Sequence, residues 1–323
     1  GDLHRARLAA NLLPAVLPEL TSETKDPAAL IRKQLHRVAL QAGEPGPVSQ
    51  IAAGVDIALL DLRARQLGIP LATLLGGTPR AVQGYASGLS PVLWEEQFAR
   101  MTALGHVRFK LRIGFGPGDG LDQAEALHAA LPEGQRMMVD ANQAWDYETA
   151  RKRLDRLGDL DPLWLEEPMP VDAPASDWAR LAQAAPMRLA GGENMGIRAQ
   201  FDAAIEGGAI GVIQPDICKW GGLSGTLPVA RAAEAAGLTY CPHFLGGGVG
   251  LIASAHLLAA VGGDGFLEID GSENPLLEVL SGRGLGFDDG LFTLPEGPGL
   301  GYIPDIGAVS GLLVSRQEVL PWT

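Results

Sequence analysis

Six acidic or histidine side chains close short apolar runs and recur at nearly even intervals. They are Asp140 in MMVDAN, Glu166 in LWLEEP, Glu193 in LAGGEN, Asp216 in GVIQPD, His243 in LTYCPH and Glu268 in GFLEID. The gaps between them are 26, 27, 23, 27 and 25 residues. Asp140, Glu166 and Glu193 come from consecutive runs, and brought together they would repel one another unless a cation neutralised them. Oxygen ligands without histidine or cysteine suit a hard ion such as Mg²⁺, which keeps positions for water or substrate. Glu167 rivals Glu166 as the middle ligand, because neighbours in a strand point to opposite faces.

Asp216 and His243 form a second constellation. A carboxylate beside an imidazole fixes its tautomer and raises its basicity, which makes a general base near neutral pH. In FKLRIG, Lys110 and Arg112 are two residues apart, share a strand face and would both point at a negatively charged substrate. A lysine there is also able to act as a base. Glu268, if protonated, would hydrogen-bond the opposite oxygen of a substrate carboxylate. Lys219 faces either this site or solvent. Trp145 and Trp220 neighbour the same runs, as pocket walls or as ordinary packing. His256, inside apolar LIASAHLLAAV, reads as a structural core histidine.

About 25 residues hold one strand, one helix and two turns. VQGYAS, HVRFKLRIG, RMMVDAN, LWLEEP, MRLAGGEN, IGVIQPD, LTYCPH and FLEID read as eight buried strands. Helical stretches such as GLDQAEALHAAL, WDYETARKRLDRL, IRAQFDAAIEGG and TLPVARAAEAAG lie between them. Eight alternating units predict an α/β fold, a closed (β/α)₈ TIM barrel whose strand tips converge on one mouth. Residues 1–80 read as helices of a partial capping domain, 81–270 as the barrel, and 271–323 as the last barrel helix region and a tail returning to the cap. GGG at 246–248 reads as a loop that either approaches a ligand or simply turns. The 323 residues, 46% hydrophobic, suffice for such a barrel and a small second unit. A net charge of −13 argues against a nucleic-acid groove or an anionic membrane surface. No apolar stretch reaches the roughly 20 residues that span a bilayer. Only Cys218 and Cys241 occur, so no disulfide framework is expected and a cytoplasmic location fits. The start, GDLHRARLAANLLPAVLPEL, reads as an amphipathic helix and not as an export signal.

With these motifs in place, from VDIALLDLRARQLGIPLATLLGG through VDANQAW, WLEEP, GGEN, QPDICKWGGLSG and CPH to PGLGY, the chain resembles the enolase superfamily, in its mandelate racemase-like branch. The resemblance implies abstraction of the proton α to a carboxylate, the shared step of that superfamily, which uses a lysine or histidine base with Mg²⁺. It implies Asp140, Glu166 and Glu193 as Mg²⁺ ligands, Asp216–His243 as the base, Lys110 as a carboxylate-contacting cation and Glu268 as the electrophilic partner. Asn142 matches a family position near metal and substrate. Two departures follow. The family's second strand usually ends Lys-x-Lys, whereas Arg112 stands here, and a guanidinium does not give up its proton. One-base chemistry is therefore expected: dehydration of an aldonate or aldarate to a 2-keto-3-deoxy acid. The alternatives are a racemase or epimerase of a 2-hydroxy or amino acid, and a metal-binding barrel without turnover. Secondly, the family's N-terminal capping sheet is largely unrecognisable in this sequence. By analogy a homo-oligomer is expected.

Overall fold

The computed structural model describes residues 7–8, 11–14, 17, 26–43, 46–282 and 287–313. The amphipathic start and the last residues of the tail lie largely outside these. After helical residues 7–8 and 11–14 come α1 (Pro27–Ala42), α2 (Pro47–Leu67) and the single turn α3 (Leu71–Leu74). Asp26 starts α1 by accepting a hydrogen bond from the Ala29 N–H at 2.9 Å, with proline at the first position. Leu35 and Ile51 pair the two long helices.

The chain then alternates strand and helix. The order is β1 (Val82–Leu89), α4 (Trp94–Ala103), β2 (Arg108–Arg112), α5 (Leu121–Ala130), β3 (Arg136–Asp140), α6 (Tyr147–Gly158), β4 (Trp164–Glu166) and α7 (Ala175–Ala184). It continues with β5 (Arg188–Gly191), α8 (Arg198–Gly207), β6 (Val212–Ile213), α9 (Gly222–Ala235), β7 (Thr239–Tyr240), α10 (Gly248–Val261), β8 (Leu267–Asp270) and α11 (Pro275–Leu280). The strands pair in parallel in the order β7-β6-β5-β4-β3-β2-β1-β8. Between β7 and β8 the Phe266 N–H donates to Cys241 Sγ at 3.3 Å, so the curled sheet meets itself. This is the expected α/β barrel.

Two apolar layers follow from the strand period of two. Residues facing outward pack with the helices into one large core that includes Phe109, Leu111, Val139, Leu165, Leu189 and Ile213. Residues facing inward, Tyr85, Met138, Trp164, Ala190, Val212 and Cys241, fill the barrel, with Phe266 against them.

α10 is apolar on every side and buried between the barrel and α3. His256 within it is a core histidine. Its Nδ1 accepts from the Ala72 N–H at 3.2 Å, and its Nε2 lies 3.3 Å from the Leu300 carbonyl. The tail crosses this region: Leu300 N–H donates to Asp61 Oδ1 at 2.7 Å, and Leu71 N–H donates to the Gly299 carbonyl at 2.7 Å. A short β9 (Leu291–Phe292) pairs antiparallel with β1. The glycine run 246–248 packs closely on the protein itself. Gly248 opens α10, and a Cβ there would fall 2.1 Å from the Ser281 nitrogen.

Candidate active site

Moving two residues along from each inward side chain reaches Ser87, Asp140, Glu166, Gly192, Gln214, His243 and Glu268. The same alternation that fills the barrel with Met138 and Trp164 therefore sets a polar layer above them. Lys110 enters this layer from β2, over the Tyr85 ring. After β5 the chain must bend sharply to bring Glu193 over the mouth. Gly192 does so at φ +138°, where a Cβ would lie 2.9 Å from the Gln214 backbone.

Lys110 is the hub. Its Nζ lies 2.7 Å from Glu166 Oε2, 2.8 Å from Glu268 Oε1 and 3.6 Å from Asp140 Oδ2. Burial opposes its charge, but Glu166, Glu268 and Asp140 outweigh that and raise its pKa well above the ordinary value. Glu166 Oε2 also accepts from Gln214 Nε2 at 2.7 Å and from Trp164 Nε1 at 3.2 Å, while Oε1 is buried without a partner. Asp140 is held through Asn142, whose backbone N–H and Nδ2 reach its two oxygens at 2.8 and 3.0 Å. Asn194 Nδ2 donates to Glu193 Oε1 at 2.8 Å and to Glu167 Oε2 at 2.6 Å.

His243 Nδ1 lies 2.9 Å from Asp216 Oδ2, and its Nε2 meets Glu193 Oε2. Asp216 Oδ1 is fixed by the backbone N–H groups of Cys218 and Lys219. Burial disfavours the imidazolium, yet Glu193, Glu268 and Asp216 together raise the His243 pKa well above its ordinary value. Burial likewise opposes ionisation of Glu193, and His243 and Lys219 overcome it to hold that carboxyl below the usual range. Lys219 Nζ is 3.8 Å from Glu193 Oε2 and partly exposed, so it stands at the site's edge.

The structure departs from expectation at two residues. Glu268 does not suit a protonated donor. It accepts from Ser87 Oγ at 2.5 Å and from the Phe244 N–H at 2.8 Å as well as from Lys110. Against the effect of burial, Lys110 and His243 hold its pKa below the ordinary value. Arg112 shares the Lys110 face but stands one step higher. It is exposed and makes no ion pair with any described residue, so the two cations do not act as a pair. Of the tryptophans, Trp145 is buried, and Trp220 packs on Phe201 at 5.0 Å between ring centres.

Glu166 faces the barrel interior. Glu167, at φ +34°, faces outward, its Cγ 3.6 Å from where a Cβ on Gly191 would lie. As they stand, no three histidine, cysteine, aspartate or glutamate side chains among the described residues are arranged to hold a metal ion. Asp140 and Glu193 are turned toward their asparagines and His243. The donor set nevertheless fits a hard divalent cation: the oxygens outnumber the enclosed cations, and Glu166 Oε1 is unpartnered. Burial, more than any neighbour, raises Asp140 and pushes Glu166 up to about 8, the response of carboxylates short of positive charge. Trp164, Gln214, Asn194 and Ser87 were not among the sequence candidates. Trp164 carried a signal, lying two residues before Glu166 on the same face of β4, and Gln214 did so as the residue just past β6, two beyond inward Val212.

Comparison with known proteins places this geometry. Residues 94–308 match the enolase C-terminal domain-like family, and residues 4–76 match the mandelate racemase/muconate lactonizing enzyme N-terminal domain. D-galactarolactone cycloisomerase of Agrobacterium fabrum is 31% identical over 283 residues, 83% of this chain and 75% of that protein. L-talarate/galactarate dehydratase of Salmonella typhimurium is 30% identical over 308 residues, 93% of this chain and 72% of that protein. Among solved structures, a mandelate racemase/muconate lactonizing enzyme from Bordetella bronchiseptica RB50 is 44% identical, with a TM-score of 0.84 over 96% of this chain and 86% of that one. L-talarate dehydratase from Polaromonas sp. JS666, complexed with Mg and L-glucarate, is 28% identical, with a TM-score of 0.76 over 94% of this chain and 82% of that one. The present chain belongs to the mandelate racemase/muconate lactonizing enzyme family of the enolase superfamily.

Proposed function

We propose that this protein is an acid-sugar dehydratase, taking an aldonate or aldarate to its 2-keto-3-deoxy acid. The observation that carries the reading is the Asp216–His243 pair, 2.9 Å apart and buried in the same polar layer as Lys110. His243 Nδ1 is committed to Asp216, so Nε2, which meets Glu193 in this structure, is the nitrogen that would take the proton α to the substrate carboxylate once Glu193 turns to a cation. The electrons of that C–H bond pass toward the carboxylate, giving an enediolate. Lys110 is the enclosed cation placed to stabilise that charge. The enediolate then expels the 3-hydroxyl, which leaves as water with the proton returned from His243. The resulting enol takes a solvent proton at C3 to become the ketone. Asp140, Glu166 and Glu193 are the residues that would hold Mg²⁺, which supplies positive charge to offset them and the developing substrate charge. Asn142 and Lys219 are assigned to the substrate side of the site. Glu268, ionised, positions Lys110.

Arg112 disfavours two-base racemisation, because no second base stands where the family's lysine would. The likeness to a cycloisomerase favours one second reading. The same α-proton step followed by loss of a ring oxygen would open a cyclic substrate with no loss of water. The division into cap (1–80), barrel (81–270) and tail (271–323), a cytoplasmic location and a homo-oligomer belong to the same proposal. Among the described residues no helix is long and apolar enough to cross a membrane.

The test is a panel of mono- and di-acid sugars, with their lactones, incubated with Mg²⁺ in D₂O and read by proton NMR and mass. A 2-keto-3-deoxy product with one deuterium at C3 and the mass of one water lost supports dehydration. The same product with no water lost moves the assignment to cycloisomerisation. Turnover unchanged in His243→Asn would refute both.

A further inference from the structure

Outside the barrel wall, behind β4 and β5, an apolar recess of about 220 Å³ opens between α7 and α8. Val171, Trp178, Met195, Ala204 and Ile210 line it, and the one charged side chain on its wall is Glu167. Glu167 is only 2% exposed. Its Oε2 is satisfied by Asn194 at 2.6 Å, but Oε1 is buried without a hydrogen-bond partner. No cation among the described residues forms an ion pair with it, and Lys219 and His243 pair with Glu193 instead. An anion enclosed by apolar walls is unfavourable unless something donates to it, and burial, with Glu193 beside it, pushes this carboxyl up to about 7. A cavity of about 150 Å³ already accommodates a benzene-sized molecule. This recess has room for such a body with one polar group attached.

We propose that the recess is a binding site, separate from the active site, for a primary ammonium carried on a short apolar body of about benzylammonium size. The ammonium meets Glu167 Oε1, and the body lies against Trp178, Met195 and Ile210. Asn194 Nδ2 donates to both Glu167 Oε2 and Glu193 Oε1, so filling the recess is linked to the active site through one amide. Binding does not depend on the reading of the active site, whereas that linkage does.

The test is calorimetric titration of the full chain with benzylammonium and with its neutral isostere, benzyl alcohol. One cation per chain should bind, at least about tenfold tighter than the alcohol, as a donor to a charged partner requires. Glu167→Gln should bring the cation's affinity down to that of the alcohol. Ala204→Phe, which fills the recess and keeps the carboxylate, should abolish binding of both while near-UV circular dichroism stays native. Equal affinities for cation and alcohol, no saturation at millimolar cation, or undiminished cation binding in Ala204→Phe would each overturn the proposal. A benzylammonium-dependent change in Mg²⁺ affinity supports the Asn194 linkage, and its absence removes the linkage but not the site.

Discussion

Replacing Lys110 by methionine keeps most of the aliphatic stem and deletes the charge at the hub of the site. Its Nζ stands 2.7 Å from Glu166, 2.8 Å from Glu268 and 3.6 Å from Asp140, and all four side chains are buried. Glu268 is the partner that depends most on it, because Lys110 heads the interactions that keep this carboxyl ionised against burial. Removing one member of a buried pair costs about 3–5 kcal/mol, since the other is left charged and unpaired. At about 2 °C per kcal/mol for a large domain, Tm should fall by about 6–10 °C in metal-free protein at pH 7. The pH dependence gives a second check. In the variant, the folded state should bind protons on Glu268 more readily than in the parent. The penalty is then full above the raised folded pKa and fades as pH falls toward the ordinary carboxylate value. Urea titrations at pH 8 and pH 5 measure both effects. A loss below about 1 kcal/mol at pH 8, or one that does not shrink at pH 5, would refute the view that Lys110 holds this cluster together.

Other consequences can be read from single side chains. Gln214→Leu removes one of three donors to Glu166 Oε2 and should weaken binding of Mn²⁺, measured by EPR, by about 10–100-fold. Undiminished affinity with lowered stability would make Gln214 purely structural. Mg²⁺ at about 100 times its dissociation constant should stabilise the protein by about 2.7 kcal/mol; a melting temperature indifferent to chelator would count against a cation at Asp140, Glu166 and Glu193. His106 packs on Phe287 with neither ring nitrogen hydrogen-bonded, and burial lowers its pKa to about 3. The fold therefore favours the neutral ring, a contribution complete above about pH 6.5 and lost as pH falls through 6.5 toward 3. His106→Phe should match the parent at pH 8 and exceed it by about 2 kcal/mol at pH 5 in urea titrations; equal acid sensitivity would show that other groups dominate there.

The barrel and the residues around its mouth were legible because strand geometry repeats. A side chain facing inward at Met138 or Trp164 obliges Asp140 or Glu166 to do the same two residues on, and a recurring strand-helix interval says that neighbouring tips meet. Contacts across the barrel were less legible. Alternation gives a residue's face but not its partners, so Arg112 shares Lys110's face and stands beside Asp140 in register, yet is exposed and forms no ion pair with a described residue. Alternation also does not say that Gln214, just past β6, meets Glu166 on β4 two strands away. Least legible was protonation. Whether Glu268 donates or accepts is decided by Lys110, Ser87, Phe244 and His243 together, drawn from β2, β1 and the turn after β7. The same collective effect marks the site as short of charge. Asp140, Glu166, Glu193, Asp216 and Glu268 surround Lys110 and His243, the enclosed cations among the described residues. Hydrogen bonds from Asn142, Asn194, Gln214 and Trp164 orient these oxygens without neutralising them. Protonation relieves the excess at Asp140 and Glu166, the two positions where burial outweighs the pull of Lys110. A divalent cation would relieve it while leaving the carboxylates ionised, and that competition predicts that Mg²⁺ binding releases protons near neutral pH.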